Sequence, residues 1–246
     1  MKFVILILII IIYYLLFSNK NIQIVVSRYN EDLKWLNNKP FRDLSVVVYN
    51  KGINDNFYKS SNTCKIENIK NVGRESHTYL YHIINNYDNL ADVTVFLPGS
   101  ADMDNKYQRS VDLVNNVKKH NNTVFLGENF DLDHIYNFQI ENYSSTNESN
   151  FNLNKENQLE KANIRPFGKW YKHHFSKVDD KNQIISYCAI IAISKKDIRQ
   201  YPISYYQSLL EQLNNSSNPE VAHYFERSWY AVFYPYNNVK KIYLLK

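Results

Sequence analysis

Cysteine and glycine are scarce: the 246 residues hold 2 Cys and 5 Gly. Two cysteines cannot build a disulfide framework, and no Cys/His cluster has the spacing of a structural zinc site. Cys188 lies inside an apolar run and reads as a small core residue, while Cys64 sits in a polar stretch with no base to activate it. Neither is a nucleophile on this reading. The chain also lacks a P-loop, a dinucleotide fingerprint and a G-x-S-x-G elbow, so NTPase, Rossmann oxidoreductase and hydrolase chemistries are without their usual marks. RNA-binding motifs are absent too. There is no long basic run, and 29 Lys+Arg against 24 Asp+Glu leave a net charge of only +5. That balance favours anionic partners in general and excludes a nucleic-acid-binding arm.

What is present is an apolar imbalance at the start. Residues 3–17 read FVILILIIIIYYLLF behind the single charge of Lys2. The run ends at Ser18-Asn19-Lys20-Asn21 without the small-residue pattern of a cleavage site, which favours an uncleaved signal anchor over a cleaved signal peptide. Residues 1–20 are therefore expected to form a membrane anchor, in the secretory pathway or a viral membrane. The charges on the two sides do not fix its orientation. Residues 21–246, with 44% hydrophobic content in the whole chain, suffice for one domain with a full core.

Within that domain, strand-like and helix-like stretches alternate. Short β-branched runs at 22–26, 44–49, 92–97 and 123–126, and the longer run IISYCAIIAI at 184–193, predict strands buried on both faces. Apolar residues recur at helical spacing over 75–87, more weakly over 112–119, and again over 204–213 and 219–234. Pro219 suits a first helical turn. This alternation predicts a layered α/β domain with a mostly parallel sheet. Residues 141–163, rich in Asn, Ser and Glu, read as a flexible surface loop.

Ligands of parallel α/β sheets bind beyond the carboxyl ends of the strands. The segments placed there are Ser27-Arg28-Tyr29-Asn30-Glu31-Asp32, Asn50-Lys51-Gly52, Gly73-Arg74-Glu75-Ser76-His77 and Pro98-Gly99-Ser100-Ala101-Asp102-Met103-Asp104. Each is ordinary loop chemistry by itself. Their convergence on one edge is what points to a site.

These same segments carry a resemblance. SRYNEDLKWL, VVVYNKG, NVGRESHTYLYHIINNYDNLADVTVFLPG, RPFGKWYKHHF, AISKKDIRQYPISYYQSLLE and PEVAHYFERSWYAVF together resemble a family of uncharacterised eukaryotic and viral proteins, the DUF3431-type domain of unknown function. That family is in turn similar to nucleotide-sugar glycosyltransferases of the GT-A type. The resemblance implies a single GT-A-like domain that moves a sugar from a nucleotide-sugar donor to a hydroxyl on a glycan, lipid or protein acceptor. It implies that Tyr29 stacks on a base, that Asn30, Glu31 and Asp32 bond base or ribose, and that Arg28, Lys51 and Arg74 supply positive charge to a diphosphate.

GT-A transferases commonly hold Mn²⁺ or Mg²⁺ with a D-x-D at the end of the central strand. Here that strand ends Phe96-Leu97-Pro98-Gly99-Ser100 with no acid, so Asp102 and Asp104 are the nearest metal candidates and Asp131 and Asp133 a second pair. An inverting transfer needs a carboxylate base. The last helix offers Glu226, which the resemblance favours, and Glu220, which shares a face with His223 and Arg227. The missing strand-end acid motivates the alternative, a catalytically inactive GT-A-like module that binds glycans or protein at a membrane.

Overall fold

The computed structural model describes residues 21–140, 159–176, 178, 183–236 and 238–244. The expected anchor lies outside the described residues, and among these no helix is long and apolar enough to cross a membrane. In chain order the strands are β1 (Ile22–Arg28), β2 (Ser45–Asn50), β3 (Thr63–Asn68), β4 (Val93–Pro98), β5 (Thr123–Asn129), β6 (Ile184–Ile185), β7 (Ile191–Ser194) and β8 (Val239–Tyr243). The helices are α1 (Arg74–Asn85), α2 (Asp104–His120), α3 (Leu132–Ile135), α4 (Phe167–Phe175), α5 (Lys195–Arg199), α6 (Ile203–Glu211) and α7 (Glu220–Val232).

The sheet runs β3-β2-β1-β4-β7-β5, with β6 and β8 also paired to β5. Strands β3, β2, β1 and β4 form a parallel half, and β8 is parallel to β5. Strand β7 enters antiparallel between β4 and β5. The α/β architecture with a mostly parallel sheet is as expected from the alternating runs.

The run at 184–193 is not the single strand its composition predicts. It breaks into β6, a one-turn 3₁₀ segment over Tyr187–Ala189, and β7. A continuous apolar run marks burial without fixing direction or continuity, which here are set by neighbours. Helix α2 begins eight residues before its expected start of 112, at Asp104. Its first two turns are polar apart from Tyr107, so they carry no apolar stripe. Strands β3 and β8 have exposed, charged faces, and they and α4 had no signal strong enough to be singled out. Of the expected loop at 141–163, residues 141–158 lie outside the described residues, while Glu160 bridges to Pro219 and Ala162 is buried.

Period-two alternation in the strands divides the core into two layers. Val25, Val47, Phe96, Phe125 and Ile191 face a layer with α1, α4, α6 and α7. Ile24, Val46, Val95, Val124 and Ala192 face the other, with Leu113, Val114 and Val117 of α2 and Trp35 and Phe41 of the loop after β1.

Helix α1 starts from a tight corner. Gly73 has φ +59°, and a Cβ there would lie 2.6 Å from the Cβ of His77 and 2.7 Å from that of Leu213, so only glycine fits. Lys51 fastens this corner from β2: its Nζ donates to Val72 O at 2.5 Å and to Arg74 O.

Buried histidines on α1 make the fold acid-sensitive. Burial pushes His77 and His82 down to about 4, with nearby lysines adding to the effect. Both are neutral in the native state at pH 7, whereas the unfolded chain protonates them near about 6.5. Between those values the unfolded state binds more protons, so stability is full above the unfolded value and is lost as pH falls through the folded one. The urea midpoint is expected to drop over this window, and His82→Gln to drop less steeply. A midpoint flat across that range would contradict this account.

Candidate functional site

Strand β1 has β2 on one side and β4 on the other, both parallel and in step: Ser27 pairs with Tyr49 and with Pro98. The chain winds from β1 outward to β3, then returns across β1 to β4. This is a topological switch point, where loops part and leave a crevice. A cleft of about 530 Å³ opens there. Its walls are Glu31 after β1, Ser100, Met103, Asn105 and Lys106 after β4, the first turn of α1, Cys188 and Ala189, Phe138 and Ile140, and Ala222, His223, Glu226 and Arg227 on α7.

The floor is set by the loop after β1. Glu31 Oε2 accepts the amides of Tyr29 at 2.6 Å and Asn30 at 3.1 Å. Its carboxylate lies over Gly99, where a Cβ would come within 2.7 Å of Oε2. Trp35 Nε1 donates to Gly99 O at 3.0 Å, tying the β1 and β4 loops together.

The far wall is built on α7. Glu226 Oε1 accepts the backbone N–H of Cys188 at 2.6 Å, and its Oε2 lies 3.6 Å from Arg227 Nη1. Cys188 and Ala189 have φ of +69° and +55°, a left-handed pair that costs roughly 1 kcal/mol or more per residue. Two bonds hold it: Glu226 on the Cys188 amide, and the Tyr79 hydroxyl donating to Ala189 O at 2.8 Å. Arg227 stacks its guanidinium 3.7 Å from the centre of the Phe138 ring and donates to His223 O at 2.9 Å. His223 lies one turn earlier. Its Nε2 is buried with no hydrogen-bond partner, and burial, with Arg74 and Arg227 adding, pushes the ring down to about 3.

Two more cations complete the lining. Arg74 Nη1 donates to Asn218 Oδ1 at 3.1 Å, with Glu75 3.9 Å away, and Lys106 Nζ donates to Ser100 Oγ at 2.7 Å. The cleft therefore presents the cations Arg74, Lys106 and Arg227 against the carboxylates Glu31, Glu75 and Glu226.

Of the residues expected from sequence, Glu226 and Arg74 meet in this cleft. Arg28, Asn30 and Asp32 line an adjacent cavity of about 430 Å³ with Asn54, Phe57 and Tyr58, and Glu31 borders both. Arg28 is only 1% exposed. It donates to Glu31 O, Asn50 Oδ1 and Asn54 O at 2.8, 2.6 and 2.9 Å and stacks on Phe57. Its charge thus organises the loops. Asp32 pairs with Lys34 at 2.9 Å on the surface. Tyr29 is exposed and lines neither cavity.

Lys51 is buried in the α1 corner, and burial draws it down to about 7; its Nζ is spent on the Val72 and Arg74 carbonyls, and Lys51 does not line the cleft. Glu220 is fully buried, accepting the amides of Ile140 and Ala162 at 3.1 and 3.0 Å and pairing with Arg165 at 2.8 Å. It anchors the start of α7 and does not line the cleft. Asp102 and Asp104 are exposed and also lie outside the lining, which Met103 and Asn105 reach instead. Asp131 caps α3 through the amides of Asp133 and His134. Among the described residues, no three His, Cys, Asp or Glu side chains group as metal ligands.

His223 and Lys106 are cleft residues that sequence reasoning did not assign as ligands. His223 shared a helical face with Arg227, a readable signal; Lys106 lay in the turns of α2 that showed no periodicity.

A model of the family described as "Protein of unknown function (DUF3431)" matches residues 24–241, and the chain belongs to that family. No curated protein matches it.

The two glutamates of α7 are expected to separate by their effect on folding. Glu220→Gln breaks a buried ion pair and should cost about 2 to 3 kcal/mol. Glu226→Gln keeps an oxygen for the Cys188 amide and should cost less than about 1 kcal/mol. Lys51→Met, which strips two buried carbonyls of their donor, should cost about 1 to 3 kcal/mol. Urea titration of the three variants measures these differences; equal effects for Glu220 and Glu226 would contradict the assignment.

Proposed function

We propose that this chain is a GT-A-like glycosyltransferase that binds a nucleotide-sugar across the two adjoining cavities and moves the sugar to a hydroxyl acceptor. The observation that carries the reading is the cleft at the β1/β4 switch point, where a fixed carboxylate, Glu226, faces the same space as Arg74, Lys106 and Arg227. Switch-point crevices of α/β sheets are where such ligands dock. The neighbouring cavity, with Phe57, Tyr58 and the amide side chains of Asn30, Asn54 and Asn56, has the aromatic and hydrogen-bonding character a nucleobase and ribose require. Arg28 shapes that cavity from beneath.

In the transfer, the acceptor oxygen attacks the anomeric carbon as the bond from that carbon to the diphosphate oxygen breaks. The electron pair leaves with the diphosphate, and the hydroxyl proton passes to Glu226. Holding Oε1 on the Cys188 amide fixes the carboxylate's direction, so positioning costs nothing at the moment of reaction. Charge building on the leaving diphosphate is met by the guanidinium and ammonium groups of the cleft. Asp102 and Asp104 do not fit a metal-holding role, being exposed and outside the lining, so no step is routed through Mn²⁺ or Mg²⁺. The apolar run at 3–17 supports placing this domain at a membrane, where glycan, lipid and protein acceptors are all accessible.

The second reading, a binding module without turnover, draws on one observation: β4 ends in Pro98 and Gly99 with no carboxylate at its tip. Calorimetric titration with UDP- and GDP-sugars, with and without Mn²⁺, together with a transfer assay, separates the two. Donor binding is expected, weakened about 10-fold or more by Arg74→Met. Glu226→Gln is expected to keep binding and to lose about 100-fold or more in transfer. Binding without any transfer favours the module, and failure to bind every donor removes the transferase reading and leaves the module that binds glycans or protein.

A further inference from the structure

Most polar groups lining the cleft are engaged by the protein itself. Glu31 holds two amides, Glu226 holds the Cys188 amide, Lys106 bonds Ser100, and Arg74 bonds Asn218. The side chain of His223 differs. Its Nε2 is shielded from solvent and meets no partner, an unfavourable arrangement that calls for a ligand or an ordered water. The ring shares the cleft with two guanidinium groups whose charges act on it: Arg227, one turn later on the same helix and bonded to the His223 carbonyl, and Arg74 at the start of α1. Glu75 and Glu226 approach these guanidinium groups only to 3.9 and 3.6 Å, which leaves hydrogen-bonding capacity for an anion shared among the three.

We propose that Arg74, His223 and Arg227 form an oxyanion site for a phosphoryl or sulfate-like group, and that His223 takes up a proton as the anion binds. Each guanidinium retains N–H donors beyond those spent on Asn218 Oδ1 and His223 O, which suits the spread oxygens of a tetrahedral anion. His223 contributes the third corner.

The coupling to a proton follows from the charges facing the ring. Charged groups line the same cleft from each side: Arg74 and Glu75 on α1, Arg227 and Glu226 on α7, Lys106 on α2 and Glu31 in the loop after β1. Arg74 and Arg227 are, after burial, the causes that hold the ring neutral, pushing it to about 3. An anion between them offsets both repulsions and adds an attraction, so the imidazolium becomes the favoured form near pH 6 and supplies a charged hydrogen bond. The site thus binds its anion more tightly as pH falls from about 7.5 to about 5.5, the sign expected when ligand and proton bind together. It does not depend on the ligand being a nucleotide-sugar: any phosphoester or sulfate places the same oxygens there.

The test uses the full-length chain at about pH 6, where a histidine responds to small changes in its surroundings. Inorganic sulfate and UDP-glucose serve as probes because neither titrates in this range. Calorimetry in two buffers of different ionisation enthalpy reads the proton taken up. Expected are saturable sulfate binding, uptake of a fraction of a proton, and movement of the His223 ring ¹⁵N resonances toward imidazolium. His223→Gln should abolish the uptake and weaken binding several-fold, and Arg74→Met or Arg227→Met should weaken it about 10-fold or more. Sulfate binding with uptake but no UDP-glucose binding would support this site and remove the nucleotide-sugar reading. Binding of either probe with the His223 resonances unmoved, or uptake unchanged in His223→Gln, would overturn the proposal; so would absence of sulfate binding together with UDP-glucose binding that takes up no proton. The ring resonances of the unaltered chain decide the matter even if the Gln variant folds poorly.

Discussion

The parallel pairing of β1 with β2 on one side and β4 on the other is the constraint on which the rest of the molecule depends. Because Ser27 stands level with both Tyr49 and Pro98, the loops that follow β1, β2 and β4 leave the sheet at one height and one edge. The reversal of winding between β1 and β4 then forces those loops apart, and the crevice between them is filled by no strand. Trp35 bridges it from below through Gly99, and the lack of a side chain at Gly99 lets the Glu31 carboxylate settle over the β4 loop.

Buried charge is what fixes the walls of that crevice. Arg28, Lys51 and Glu220 are each removed from solvent and each bonded to backbone groups of a different segment. A buried charge left short of partners is costly, so these residues act as pins: moving any of the segments they bind would strand a charge or a carbonyl. Arg28 holds the loop after β2, Lys51 the start of α1, and Glu220 the chain around Ile140 and Ala162 against α7. Glu226 plays a related part at lower burial, holding the left-handed turn at Cys188 while facing the open cleft. Chemistry and scaffold are thus separated by how many of a residue's lone pairs or protons the protein has already taken.

Much of the framework was legible from residue order. The short β-branched runs that became β1, β2, β4 and β5 show themselves by length and composition, and the apolar stripes of α1 and α7 by helical spacing. Edge strands β3 and β8 and the opening turns of α2 were not legible, because exposed faces carry no alternation. The antiparallel entry of β7 was equally hidden: IISYCAIIAI states that the run is buried, and says nothing of the turn at Cys188 or of its direction.

By itself the sequence determined the α/β class, the family pattern between residues 24 and 241, and the concentration of polar, charged groups at the strand ends. Tertiary structure decided which of those groups are available. Arg28, Lys51 and Glu220 look as functional in sequence as Arg74 and Glu226 do, since residue type and spacing are alike for a structural and an exposed charge. The difference lies in desolvation and in hydrogen-bond partners contributed by distant segments, such as the Ile140 amide that meets Glu220 across 80 residues of chain and the Asn218 side chain that meets Arg74 across 144. Those partners are set only when the sheet assembles, and with them the choice of His223 as the cleft residue whose ring nitrogen the protein leaves unpaired.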